Sequence, residues 1–187
     1  MRWTKYITMT GFHYENHGTG IFAKYITTFI DTAPIFVQQP DDIQLARLLF
    51  QPKYGSHVYK IQVAVNFLGW IVYYSGPHFG TEADNTIFED TMYEHPMRSW
   101  EFWCGDGIYN SCYGVLTRYI LQAGQVFTRM QVAVNAWIGH YRQRVEHVMH
   151  TIKAHNMWRM PFWGSYPMLQ ACNTLHVCSE NQARMGR

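Results

Sequence analysis

The chain is 187 residues long, 48% hydrophobic and 15% charged, which allows one domain with a sizeable core and excludes a disordered chain. Aromatic residues reach 17%, a load that calls for large buried rings or stacking surfaces. The net charge of +2 hides an asymmetry: residues 1–106 hold 7 Lys/Arg against 11 Asp/Glu, and residues 107–187 hold 8 against 2, the two being Glu146 and Glu180.

That split suggests an acidic cluster in the first part and a polyanion-facing surface in the second; chance with solvated faces is the alternative. No run approaches the ~18 apolar residues of a membrane span, so no membrane partner is expected. The start, MRWTKYITMTGF, lacks the apolar run and small-residue site of a signal peptide. Cys104, Cys112, Cys172 and Cys178 show no CxxC pairing and read as reduced thiols of an intracellular protein.

Residues 1–24, with Gly11, Gly18 and Gly20, predict no regular element. Tyr25–Ile30 is β-rich and runs straight into Asp31, after which Pro34 and Pro40 break the pattern. Asp41–Phe50 predicts a short helix. Tyr59–Phe67 alternates, with Ile61, Val63, Val65 and Phe67 on one face and Lys60, Gln62, Ala64 and Asn66 on the other. Leu68-Gly69 reads as a hairpin leading into a strand over Trp70–Tyr74. Ser75–Gly80 reads as a loop. Thr81 opens TEAD, a capping-box pattern that predicts a helix start before Ile87 and Phe88. Ser99–Cys104 predicts a third aromatic strand, ending in Gly105-Asp106-Gly107. A helix is expected over Val115–Leu121, and the longest helical pattern spans Val132–Trp158, clearest from Ala136 to His155. The order implies a mixed α/β chain with one sheet covered by helices.

Three carboxylates stand out. Asp31 and Asp106 each follow a hydrophobic strand-like run, where a carboxylate is costly to bury unless it is paired or bound to a cation. On adjacent strands they would converge at one edge of the sheet and offer oxygen ligands to Mg²⁺. Turn formation is the alternative, since Asp-Thr-Ala-Pro and Gly-Asp-Gly are both good turn sequences. On a helical wheel Arg142, Glu146 and Lys153 fall within about 40° of one another, at the border of a core face made by Tyr141, Val145, Val148, Met149 and Ile152. A solvent-exposed Arg142–Glu146 pair is the alternative there. Asp84 suits a helix cap. His147, His150 and His155 suggest a ligand cluster, but His147 and His150 fall away from the core face and fit a solvated surface better.

At these residues the sequence resembles the catalytic domain of a DDE transposase, of the PIF/Harbinger type or its fungal relatives, from roughly Thr27 to Asn181. IDTAPIFVQQP, with Asp31, resembles the first-strand motif. KYGSHVYKIQVAVNFLGWIVYYSGPHFGTEADNTIF is similar to the hairpin block that leads to an Asp, here Asp84. CGDGIY resembles the Gly-Asp-Lys-Gly-Tyr motif of the second catalytic Asp, here Asp106, with Gly107-Ile108 in place of Lys-Gly. RQRVEHVMHTIKAHNMW resembles the helix carrying the catalytic Glu, here Glu146. The spacing Arg142–Glu146–Lys153 also matches the Tyr/Arg/Glu/Lys signature of related insertion-sequence transposases, whose Tyr falls at Gly139.

The resemblance implies an RNase H-like mixed sheet flanked by helices, with residues 25–181 as the catalytic domain, residues 1–24 as an irregular remnant of a larger N-terminal region and 182–187 as a tail. It implies a metal-dependent DNA endonuclease and strand transferase using two Mg²⁺ or Mn²⁺ ions. Asp31, Asp106 and Glu146 would be both the catalytic and the metal-binding residues, with Asp84 an auxiliary acid. Arg142, Lys153 and, more weakly, Arg144 would hold DNA phosphates. Transposon-end or target DNA would be the partner of a homodimer or higher assembly, with a separate DNA-binding protein possible. The site of action would be the nucleus or cytoplasm. A transposase-derived protein that binds DNA or a protein partner without cleaving is the competing implication. An unrelated α/β domain, its carboxylates serving turns and helix surfaces, is the reading outside the family.

Overall fold

The computed structural model describes residues 5–6, 25–94, 97, 99, 101–154, 161–162 and 169. In chain order these form β1 (Lys5–Tyr6), β2 (Ile26–Phe36), α1 (Ile43–Leu49), β3 (Phe50–Gln51), β4 (Ser56–Asn66), β5 (Ile71–Phe79), α2 (Asp84–Glu94), β6 (Phe102–Cys104), a 3-10 turn (Gly107–Tyr109), β7 (Val115–Leu116) and α3 (Arg129–Ala154). The main sheet has the order β1-β5-β4-β2-β6-β7, with β3 paired to β4 off this path. β4 is antiparallel to both β5 and β2, and β6 and β7 continue the sheet parallel to β2. This is the mixed α/β, RNase H-like arrangement that the resemblance implies.

Each face of the sheet carries its own core. Phe29, Ala33, Ile35, Ile61, Val63, Val65 and Cys104 meet α3 through Ile138, Tyr141, Val145, Val148, Met149 and Ile152. On the other face Ile30, Ala64, Tyr73 and Trp103 meet Phe88 of α2, together with Tyr109 and Cys112. The alternation read in β4 is therefore a division between two covered faces, and Lys60 and Gln62 are buried on the second of them. The aromatic load fixes the seat of α3. Phe29 stacks on Tyr141 at 6.0 Å, while Phe67 meets Phe29 edge-on at 5.2 Å and Tyr141 at 5.0 Å.

Five expectations need correction. Asp31 is not at the end of its strand, because β2 runs on through Pro34 to Phe36. The Val37 N–H donates to His57 O at 3.0 Å, so N–H groups of odd-numbered residues face β4. Pro34 therefore lacks its N–H on the opposite side, where β6 has already ended at Cys104. Ser75–Gly80 is not a loop. Gly76 and Pro77 sit at a register shift opposite Ile61, and pairing resumes at His78↔Lys60.

Thr81 does not cap α2, which begins at Asp84; its hydroxyl donates instead to Leu48 O, 2.9 Å away at the end of α1. Val115–Leu121 is not a helix. Val115 and Leu116 pair with Trp103 and Cys104 at the sheet edge. The side-chain amide of Asn135 then clamps Tyr119 from both sides, its Oδ1 accepting from Tyr119 N at 2.8 Å and its Nδ2 donating to Tyr119 O at 3.0 Å. Within residues 1–24, the described Lys5 and Tyr6 form β1, paired antiparallel with Tyr73 and Tyr74 of β5. The short helix, the hairpin, the third strand and the long helix all appear, with α3 starting three residues earlier than expected.

Candidate active site at the end of the parallel strands

Parallel pairing of β2 with β6 sets Phe29 beside Cys104. Asp31 and Asp106 each follow two residues later, so the two carboxylates stand at matched positions, Asp31 within β2 and Asp106 just past the end of β6. Phe29, Ala33 and Cys104 all belong to the α3 core. Strict alternation thus puts the half-buried Asp31 on the α3 side of the sheet. Its Oδ1 accepts from Thr32 N at 2.9 Å. Asp106 also does local work: its Oδ1 accepts from Gly107 N at 2.7 Å and caps the 3-10 turn. The turn reading and the site reading of Asp106 therefore coexist.

Glu146 is supplied by α3. Tyr141, Val145, Val148, Met149 and Ile152 are buried beneath the helix, as the wheel requires, and Glu146 stays exposed at the border. The link to Asp106 is Arg142, whose Nη1 lies 3.3 Å from Asp106 Oδ1 and whose Nη2 lies 3.7 Å from Glu146 Oε1. The Arg142 side chain is only 12% exposed, and its Nε is buried without a hydrogen-bond partner. Burial pushes the Cys104 thiol up to about 12, with Arg142 and then Arg118 pulling the other way. Both guanidiniums thus act on the same end of β6.

The opposite face carries a second polar group of residues. Lys60 Nζ donates to Asp84 Oδ1 at 2.9 Å and to Glu82 O at 2.6 Å. Asp84 is therefore the counter-charge of a buried lysine, and an unpaired charge in that position would be strongly unfavourable. Tyr109, from the Asp106 motif, meets Thr32 Oγ1 at 2.8 Å and accepts from Gln62 Nε2 at 3.2 Å. Its hydroxyl is pushed above its ordinary range, first by burial and further by Asp84 and Asp31, while the Thr32 and Gln62 hydrogen bonds pull the other way. The Asp31-Thr32 dipeptide thus spans the sheet: Asp31 faces α3 and Thr32 anchors to Tyr109.

Among the remaining expected site residues, Arg144 donates to Phe67 O and lies over the Tyr141 ring at 5.6 Å. Lys153 belongs to the last turn of α3, and its side chain lies outside the described residues, as do His155, Cys172 and Cys178. His147 and His150 are exposed, in keeping with a solvated face, and Cys104 and Cys112 are free, buried thiols. Sequence reasoning missed Lys60 and Gln62, whose signal was polar side chains in a strand buried on both faces, and gave Tyr109 of CGDGIY no role. It also missed Arg118, which stands in a stretch free of Asp and Glu from Gly107 to Val145.

Carboxylate oxygens are the donor set that Mg²⁺ and Mn²⁺ prefer. Asp106 and Glu146 already share a cation, the Arg142 guanidinium, so this corner accommodates positive charge between them. Among the described residues, no three His, Cys, Asp or Glu side chains stand together as a metal-holding group. Coordination by all three carboxylates therefore requires side-chain movement, with Arg142 displaced. Among the described residues no helix is long and apolar enough to cross a membrane.

A family model described as DDE superfamily endonuclease matches residues 30–179. No curated protein and no solved structure matches the chain.

Proposed function

The chain belongs to the DDE superfamily endonuclease family, and from that premise we propose that it is a metal-dependent DNA endonuclease and strand transferase, of the PIF/Harbinger type, with Asp31, Asp106 and Glu146 as its catalytic carboxylates. The observation that supports this most is the β2–β6 register, which puts two acidic residues at matched positions along adjacent parallel strands, on the side covered by the helix that carries the third.

Asp31, Asp106 and Glu146 would hold two Mg²⁺ or Mn²⁺ ions, which when bound activate water or a 3′-OH and stabilise the leaving oxygen of an in-line displacement. The chain's own part is to orient these carboxylates. The Thr32 N–H fixes Asp31 and the Gly107 N–H fixes Asp106, while Arg142 holds Asp106 and Glu146 together until a metal takes its place. Arg142, Arg144 and Lys153 are assigned to DNA phosphates, which gives affinity that depends on salt and not on sequence. Asp84 is assigned a supporting part through Lys60. Assembly as a homodimer or higher on paired ends, a separate DNA-binding protein and a nuclear or cytoplasmic site of action belong to the same proposal.

The test is nicking of supercoiled DNA in Mn²⁺ or Mg²⁺. Asp31→Asn, Asp106→Asn and Glu146→Gln should each abolish nicking while leaving the circular dichroism spectrum and thermal midpoint of the folded chain in place. Full activity in any one of them rejects the assignment. One observation favours a second reading, that of a transposase-derived protein that binds DNA or protein without cleaving: Arg142 is seated between Asp106 and Glu146. DNA binding indifferent to metal, with no cleavage in any divalent ion, would decide for that reading.

A further inference from the structure

Two of the three cations assigned to phosphate are already engaged in this structure. Arg142 is paired with two carboxylates and 12% exposed, and Arg144 is held by Phe67 O and the Tyr141 ring. Arg118 differs. It is exposed, and among the described residues no carboxylate pairs with it.

Its position is nonetheless fixed. The next residue, Tyr119, is clamped to α3 by both hydrogen bonds of Asn135. The Arg118 guanidinium lies across Gly139, where even a Cβ would overlap it. Gly139 sits three residues before Arg142, on a neighbouring part of the same helical face. Leu116 pairs with Cys104 and its carbonyl accepts from the Gly105 N–H at 3.0 Å, so Arg118 and Asp106 each follow two residues after a paired position at the end of β6.

We infer that Arg118, seated on Gly139 beside the Asp106 end of β6, is a phosphate-binding residue for DNA entering the site. This rests on the endonuclease reading and names a cation that can take a phosphate without first leaving a carboxylate, a carbonyl or a ring. A guanidinium matches a phosphate with two parallel N–H donors, and its planar fork loses little on binding when the stem is already held.

The test is binding of a fluorescein-labelled DNA duplex of arbitrary sequence to the full chain, in EDTA so that no cleavage intervenes, across a salt series. Arg118→Ala should weaken binding roughly tenfold or more and reduce the slope of log affinity against log salt by about 1. Gly139→Leu should do the same without removing any charge, because it displaces the guanidinium; Leu is also a better helix former than Gly, so a folding defect is not the expected cause. Arg118→Lys should recover part of the loss, and Arg47→Ala, beside Phe50 and His57 of the groove along α1, should change neither quantity. If Arg118→Ala binds with wild-type affinity and slope, the role of Arg118 is overturned and the endonuclease reading stands. If the wild-type chain fails to bind duplex DNA even at low salt, both are overturned.

Discussion

At the scale of single residues, the chemistry is arranged in pairs that share a backbone segment. Asp31 and Thr32 face opposite sides of the sheet, one toward α3 and the other hydrogen-bonded to Tyr109. Asp106 and Tyr109 are the corresponding pair in the next motif, one capping the turn and the other buried by it. Cys112 completes this second face, buried beside Asn85, its Sγ 3.8 Å from the Asn85 carbonyl. Burial raises its thiol above the ordinary 9.0, and Glu89 adds to the rise.

The sign of the resulting pH dependence follows. Below pH 9 both folded and unfolded chains keep the proton, and the contribution of the thiol is complete. Above it the unfolded chain loses the proton that the native chain retains, so stability falls as pH rises. Chemical denaturation of wild type and Cys112→Ala should therefore show the wild-type stability dropping relative to the variant above pH 9. A constant difference into the alkaline range would contradict this. Asp31 and Asp106 were legible in the sequence because an acid directly after a hydrophobic run is conspicuous. The role of Asp84 was not: its spacing from Thr81 matched a cap, and only the fold shows that Lys60, buried on the far side of β4, takes its carboxylate instead.

At the scale of elements, the seating of α3 on β2 and β4 determines where Glu146 stands relative to the two aspartates. Phe29 is at the centre of that contact, fully buried, stacked on Tyr141 and edge-on to Phe67. Phe29→Ala should cost about 3–5 kcal/mol and lower the thermal midpoint by roughly 10 °C or more. Calorimetry of the two chains checks this, and a loss below about 1 kcal/mol would mean that α3 is held elsewhere.

A tighter contact lies at Gly80, where an added Cβ would collide with Leu49 O and come within 2.6 Å of Val58 O. Both obstacles are backbone and cannot turn aside, so only glycine fits where β5 hands over to α2. Long periodic elements were readable from sequence because burial imposes their repeat; β4 and α3 are the examples. The shorter ones were not. Gly76-Pro77 has turn chemistry, yet β4 offers a register shift that absorbs both residues into β5. Val115–Leu121 has apolar residues at helical spacing, yet the exposed edge of β6 and the Asn135 amide claim its backbone first.

At the scale of the whole molecule, one sheet order accounts for the placement of the site. Three antiparallel strands bring β2 to the middle of the sheet, and the parallel β6 beside it brings a second acidic motif to the same edge. α3 then returns across the sheet with the third acid and the arginine that joins it to the second. The charge asymmetry of the sequence takes on a physical shape in this arrangement. The stretch from Gly107 to Val145, free of carboxylates, includes the loop that carries Arg118 and most of the helix it rests on.

The most direct measurement is a crystal structure of the chain soaked in Mn²⁺, with the ions located by anomalous scattering. The account predicts Mn²⁺ coordinated by the carboxylates of Asp31, Asp106 and Glu146, with Arg142 swung away from the latter two. Mn²⁺ absent from these residues, with Arg142 still between Asp106 and Glu146, would contradict it.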